Sequence, residues 1–424
     1  MPIDLPLPVL GLMLAGSALA PGALAAAPAT ADPASVGVSR ERLMRIREMV
    51  ERDIAAKQYS GAVTLVAREG RVVHFEAQGM MDIEAGRPMA KDAVFRLASM
   101  SKVVTAVAVL ILVEEGRVRL TDPVARFLPE FSALQVAVSE PGADPTHFTL
   151  TPAARPITVR DLLTHTSGLG SGPMGAAAMA QEHVAPGSDL AALVAAVART
   201  PLEFQPGARF AYSGLAGFDT LGRIVEVVSG MGLERFISER ICRPLGMTAT
   251  TFAPTPAQRE RLVTHYARTS SGLVRAQQQE LLIDPVCPHG AGGMVGTAED
   301  YFRFAQMLAN GGELAGRRIL SPRTVEMMGS AQLSDRFPGL GSGTGWGLGV
   351  RFITDGPASG APLSTGSYGW SGAWGTHFWV DPAQKLVAVI MLNEATAGGA
   401  GAVSARDFET MVMQSLTRLL PARP

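Results

Sequence analysis

The stretch FRLASMSKVVTAVAVLILVEEGRV, Phe95 to Val118, contains one of only four lysines in a chain of 424 residues. The others are Lys57, Lys91 and Lys385; every other basic side chain apart from the histidines is an arginine. Lys102 alone has a serine three places before it, Ser99, and it leads into an apolar run rather than a polar surface pattern. That run, stopped by Gly116, predicts a helix entered near Ser99 with the glycine at its C-terminal end. Residues three apart share a helix face, so Ser99 and Lys102 point the same way. A serine at a helix N-terminus sits where free N–H groups and the dipole favour developing negative charge. A lysine buried beneath an apolar helix loses its proton more readily, and a neutral amine can activate a neighbouring hydroxyl. The plain alternative is a capping serine and a lysine that snorkels to the surface. One Ser-x-x-Lys does not decide between them.

Composition narrows the field. A net charge of −1 and a pI of about 6.7 give no electrostatic footprint for nucleic acid or an anionic membrane. No segment after the N-terminus reaches the ~18 apolar residues of a spanning helix, so no stable membrane span is expected. The seven histidines are scattered, with no H-E-x-x-H or Cys/His cluster, so neither a metal site nor a cofactor is expected. Cys242 and Cys287 could pair in an exported protein, but two cysteines make no disulfide framework, and two separate thiols are the simpler expectation. The N-terminus carries an apolar segment and an A-x-A pattern at Ala23-Leu24-Ala25, as a signal peptide would, yet no early Lys or Arg, and Asp4 is acidic. Residues 1–38 are set aside as a signal peptide or disordered leader. Localisation stays open between export and the cytoplasm, and oligomeric state is not legible.

The remaining chain, 39–424, reads as one catalytic domain. SRERLMRIREMVERDIAAKQ (Ser39–Gln58) predicts a capped helix, and GAVTLVAREGRVVHFEAQG (Gly61–Gly79) two strands about a turn. Trp346–Ile353, Thr376–Pro382 and Lys385–Asn393 read as strands, and Ser404–Leu420 as a closing amphipathic helix. Strands at both ends with helices between predict an α/β (α+β) fold: an antiparallel sheet from both chain ends flanked by helices, with a mostly helical insertion. The sheet part would span about 39–89 and 283–424, the helical part about 90–282. Pro141–Pro156 and Gly168–Gly187 read as long surface loops, of the kind that form lids or binding walls.

Four blocks in order carry more than any one of them: Ser99-Met100-Ser101-Lys102, DLLTHTSGL (Asp161–Leu169), QPGARFAYSGLAGFDTLG (Gln205–Gly222) and YGWSGAWGTHFWVDP (Tyr368–Pro382). Together they resemble the serine beta-lactamase and penicillin-binding-protein superfamily, and most closely its class C lactamase-like (family VIII) carboxylesterases. The resemblance implies that Ser99 is the acyl-accepting nucleophile, Lys102 its base and Tyr212 a proton shuttle. It implies an oxyanion hole from the backbone N–H groups of Ser99 and Ala373, and a third motif, Trp370-Ser371-Gly372, on the strand edging the substrate site. His165 has no catalytic role in that pattern and reads as structural.

Two positions depart from the lactamase pattern. Gly214 stands where penicillin-recognising enzymes usually carry Asn, and Trp370 where they usually carry Lys. Glycine offers no side-chain donor, and tryptophan an indole N–H without charge. These substitutions favour a small-molecule ester over a penicillin. The expectation is therefore a serine hydrolase cleaving carboxylic esters through an acyl-enzyme, with weak cephalosporin hydrolysis on the side. The alternatives are a beta-lactamase or D-amino-acid peptidase, an acyltransferase, or a non-catalytic penicillin-binding-like protein. The alpha/beta-hydrolase signature G-x-S-x-G is only approached, at Gly369-Trp370-Ser371-Gly372-Ala373.

Overall fold

The computed structural model describes residues 30–421 apart from 141, 143, 278, 280, 281 and 400. The cleavage pattern at residues 23–25 lies outside the described residues.

Eight strands make the main sheet: β1 (Gly61–Arg68), β2 (Arg71–Asp82), β3 (Arg87–Pro88), β4 (Thr344–Trp346), β5 (Arg351–Ile353), β6 (Tyr368–Ser371), β7 (His377–Asp381) and β8 (Leu386–Met391). Their order is β4-β5-β6-β7-β8-β1-β2-β3, antiparallel throughout, so the two ends of the chain meet at the β8–β1 pair in mid-sheet. Alternation explains the layering. Val387, Val389 and Met391 of β8 join the large core, which includes the Ala298–Ala309 helix. Leu386, Ala388 and Ile390 face the opposite way, onto Leu43 and Ile46 of the Arg40–Ala55 helix and Phe408 of the Val403–Met413 helix. Ser39 caps the first of these helices, accepting from Arg42 N–H at 3.2 Å.

The Lys102 run folds as predicted, as the Ser101–Glu114 helix, with Gly116 left-handed just beyond it (φ 71°). Every residue from Ser101 to Leu112 is buried, so the helix is a core rod, not an amphipathic surface element. The helical insertion wraps it, with the Ala216–Ser229 helix packed along it.

Four expectations need correcting. Trp346–Ile353 is two strands, β4 and β5, because Gly349 turns left-handed (φ 82°) and Gly347 N–H closes onto Val350 O at 2.8 Å. The expected Gly168–Gly187 loop contains a helix, Pro173–Gln181, whose proline takes the first turn and whose alanines favour the helical state. Pro141–Pro156 includes a strand, Thr149–Pro152, paired with Gln135–Val138. The closing helix stops at Met413 because the chain then turns back along the N-terminal segment: Ser39 N–H donates to Ser415 O at 2.8 Å and Thr417 N–H to Gly37 O at 3.0 Å.

That last pairing also moves the start of the folded chain. Residues 31–38, grouped above with the leader, are built into the sheet layer. Ala31 N–H donates to Val72 O, Val36 and Val38 are buried, and the buried Arg68 guanidinium donates to Gly37 O at 2.8 Å and to Arg418 O at 2.9 Å. Deleting this segment loses the burial of the two valines, about 1.5–3 kcal/mol each. A chain beginning at Ser39 should therefore melt at least a few degrees below one beginning at Thr30, measured by calorimetry.

Candidate active site

Ser99 lies in a short 3₁₀ turn, Ala98–Met100, that leads into the Lys102 helix. Ala98 holds φ 46°, a left-handed conformation that costs a non-glycine residue free energy and persists only where its surroundings enforce it. Several bonds do so. Leu97 N–H donates to Met294 O at 2.9 Å, Tyr301 OH to Met100 O at 2.9 Å and Thr376 Oγ1 to Leu97 O at 3.1 Å. The strand edge presses on the same turn. A Cβ added to Gly372 would lie 2.4 Å from Leu97 O and 3.2 Å from Ala98 Cβ, so only glycine allows that approach.

Lys102 is 1% exposed, and its amine has three neighbours: Gly214 O at 2.6 Å, Ala291 O at 2.8 Å and Ser99 Oγ at 3.2 Å. Burial pushes its pKa down to about 7, against an opposing pull from Asp219. A neutral amine has two N–H bonds and one lone pair. The two carbonyls take the N–H bonds, which leaves the lone pair facing Ser99 Oγ.

Tyr212 lies beside the same amine, with Lys102 Nζ 5.2 Å from its ring centroid. Its hydroxyl bonds with Ser99 and accepts from Trp370 Nε1 at 3.1 Å. Burial raises the phenol to about 12, offset in part by those two bonds, so it stays protonated at neutral pH. His165 packs under the Tyr212 ring with centroids 4.5 Å apart, and its Nδ1 accepts from Ser213 N–H at 3.1 Å. Burial and the Lys102 charge hold its pKa well below the usual imidazole value, so it is a neutral spacer.

The other expected positions divide. Gly214 is exposed and open where a side chain would project, and its carbonyl is what reaches the site. Ala373 is exposed at the end of β6, beside the turn that Gly372 touches. Ser371 does not face the site with Trp370. On a strand its side chain takes the opposite face, where its hydroxyl meets His377 Nδ1 at 2.8 Å. His377 Nε2 in turn meets Glu409 Oε1 at 3.1 Å, and Arg351 Nη2 the same oxygen at 2.9 Å. This has the connectivity of a Ser-His-acid triad, but the three residues are only 2–4% exposed, so no substrate reaches them. Burial works against the Glu409 charge, yet the His377 and Arg351 contacts outweigh it and hold the carboxyl below its ordinary value.

Sequence reasoning missed the floor of the site: Thr105, Asp219, His289 and Ala291. The glycine-rich HGAGG run, His289–Gly293, is the signal that could have marked it. Among the described residues no group of His, Cys, Asp or Glu is disposed to hold a metal ion, and no helix is long and apolar enough to cross a membrane. Cys242 and Cys287 are free and buried.

A family model described as Beta-lactamase matches residues 46–410. The chain belongs to the Beta-lactamase family. This Beta-lactamase-family hydrolase is 32% identical over 388 residues to Esterase EstB of Burkholderia gladioli, spanning 84% of this chain and 92% of that protein. It is 36% identical over 383 residues to an uncharacterized protein of Mycobacterium tuberculosis, strain CDC 1551 / Oshkosh, spanning 86% and 92%. Among solved structures, EstCE1, a hydrolase with promiscuous acyltransferase activity, has a TM-score of 0.74 at 25% identity and covers 89% of this chain and 99% of its own. An octameric penicillin-binding protein homologue from Pyrococcus abyssi shares the fold, with a TM-score of 0.66 at 23% identity, 88% of this chain and 76% of its own.

Two serines thus carry a basic neighbour, and exposure separates them. A fluorophosphonate probe should modify Ser99 and leave Ser371 unmodified, as read by peptide mass spectrometry. Label on Ser371 would mean that the buried triad opens to solvent.

Proposed function

We propose that the protein is a serine carboxylesterase acting on uncharged small-molecule esters through an acyl-enzyme. The observation that carries this reading is the buried Lys102 amine set between Gly214 O at 2.6 Å, Ala291 O at 2.8 Å and Ser99 Oγ at 3.2 Å, an arrangement that in the neutral amine gives both N–H bonds to carbonyls and leaves the lone pair for Ser99.

Ser99 Oγ attacks the ester carbonyl while its proton passes to the Lys102–Tyr212 pair. The oxyanion so formed is held by the backbone N–H groups of Ser99 and Ala373, a donor pair whose loss costs about 3 kcal/mol per donor in subtilisin. Tyr212, which bonds with Ser99, returns the proton to the departing alkoxide. Water then enters on the same path and attacks the acyl carbon as it loses a proton to the same pair, and that proton returns to Ser99 Oγ as its bond to the acyl carbon breaks and the acid leaves.

Substrate preference follows from the two departures noted above. The place of an amide-recognising Asn is Gly214, with open space where a side chain would project. At the place of a carboxylate-attracting Lys, the Trp370 N–H is spent on the Tyr212 hydroxyl. A penicillin would leave its acylamino and carboxylate groups without partners there, whereas a simple ester needs neither. The 32% identity to Esterase EstB supports the same reading. Acyl transfer to an alcohol in place of water is a second reading, supported by the likeness to EstCE1. A transfer product formed in the presence of an added alcohol would establish it.

The test is turnover of p-nitrophenyl butyrate and nitrocefin by one preparation. Ester cleavage should dominate and be lost in Ser99→Ala. Lys102→Arg, whose guanidinium does not give up its proton, should lose about 10³-fold or more, and Tyr212→Phe about 10²-fold. Because the neutral amine is the active form, kcat/KM should rise with pH through about 7 and level off above it. Dominant nitrocefin cleavage would make the protein a lactamase instead, and esterase activity surviving Ser99→Ala would remove the mechanism.

A further inference from the structure

The peptide unit joining Gly290 and Ala291 is gripped from both sides. Thr105 Oγ1 donates to Gly290 O at 2.7 Å, and Ala291 N–H donates to Asp219 Oδ1 at 3.0 Å. One bond further on, the Ala291 carbonyl accepts from Lys102 Nζ at 2.8 Å. Thr105 lies one turn beyond Lys102 on the same helix, and Asp219 lies in the first turn of the Ala216–Ser229 helix that follows Tyr212. A Cβ on Gly290 would come 2.8 Å from Phe218 O, so the unit also needs its glycine. The aim of one of the two carbonyls on the Lys102 amine is thus set by Thr105 and Asp219.

Asp219 is itself 1% exposed. A buried carboxylate is costly unless paired, and its second oxygen meets His289 Nδ1 at 3.0 Å. The His289 side chain keeps 17% of its surface in solvent. When Ser99 gives up its proton, an ammonium appears at Lys102, and Asp219 is the buried negative group that acts on it.

We infer that Asp219 and His289 are a positioning pair for Lys102. Asp219 aims the Ala291 carbonyl and stabilises the ammonium formed as Ser99 reacts, while His289, through its own protonation, sets how much of the Asp219 charge Lys102 feels. The inference rests on the Ser99–Lys102 mechanism proposed above. Among the described residues the other titratable groups around Lys102 are Tyr212 and His165, both neutral across the working range. Around His289 they are Asp219 and Asp284, whose attraction outweighs burial and raises its pKa. Cys287 stays a thiol, since burial lifts its pKa to about 12.

The two members act on Lys102 with opposite sign. Asn at 219 keeps an oxygen for Ala291 N–H but no charge, so the ammonium is less stable and the amine frees itself at lower pH. His289→Gln removes a side chain that, when protonated, offsets the Asp219 charge, so over the pH range in which His289 holds its proton the ammonium becomes more stable and the amine frees itself at higher pH. The measurement is the rate at which a fluorophosphonate labels Ser99 of the full-length protein, from pH 5 to 9, which depends on no choice of substrate. Asp219→Asn should move the acid limb down by about one pH unit and His289→Gln up by about half a unit or more. Limbs that stay within ~0.2 unit of the wild type, or that move the same way, overturn the inference. Should Asp219→Asn fail to fold by circular dichroism, the direction of the His289→Gln limb decides alone. Failure of the esterase reading shows elsewhere: ester turnover would be absent while these limbs still moved apart. Failure of the Ser99–Lys102 mechanism would show as a wild-type protein that takes no label on Ser99.

Discussion

A single amine taken out of water organises this molecule. Lys102 sits in a helix whose residues from Ser101 to Leu112 are all buried, and burial makes its protonated form expensive. The chain meets that cost with two carbonyls from distant segments, Gly214 and Ala291, which fix both N–H bonds of the neutral amine. Neither carbonyl is near Lys102 in sequence. The Lys102 helix, the Tyr212 segment and the glycine-rich run after His289 must all close before the lone pair has a defined direction. The helical insertion is therefore more than a lid on the sheet. It builds the low-dielectric setting in which a lysine can act as a base near neutral pH.

The sheet contributes at the opposite side of Ser99. Its two chain-terminal halves join at β8 and β1, and Gly372, just past the end of β6, lies against Leu97 and Ala98. Contact that close leaves no room for the turn to relax, which accounts for a left-handed alanine directly before Ser99. The Ser371–His377–Glu409–Arg351 chain pins the back of the same strand. Strand alternation divides the labour: Trp370 meets Tyr212 on one face while Ser371 anchors the other.

The fold was legible wherever the pattern was local. Strong periodicity placed the Arg40–Ala55 and Ser101–Glu114 helices and the β1–β2 hairpin to within a few residues. It failed where a single glycine reversed the chain, as at Gly349, and where small residues hid a helix, as in Pro173–Gln181. The ordered blocks brought Ser99, Lys102 and Tyr212 to notice. They did not separate Ser371 from Trp370, because adjacency in a motif says nothing about which face of a strand a side chain takes. They also missed Asp219 and His289, 70 residues apart in the chain, whose pairing exists only in three dimensions.

Gly214 and Trp370 read differently once their surroundings are known. Nothing crowds the space a side chain at 214 would enter, so packing does not forbid an asparagine there. Its absence is therefore a matter of chemistry, since the site does without an amide donor that it has room to hold. Trp370 goes further than removing a cation. Its indole N–H lands on the Tyr212 hydroxyl, which also bonds with Ser99. A lysine there would bring a charge to attract anionic substrates, whereas tryptophan brings a neutral donor that holds the phenol oxygen in place. On the proposed mechanism, the residue that gives up recognition of a carboxylate is the same one that orients the proton shuttle. On that mechanism Gly214 removes the amide partner, while Trp370 alone both removes the cation and keeps the proton shuttle in place.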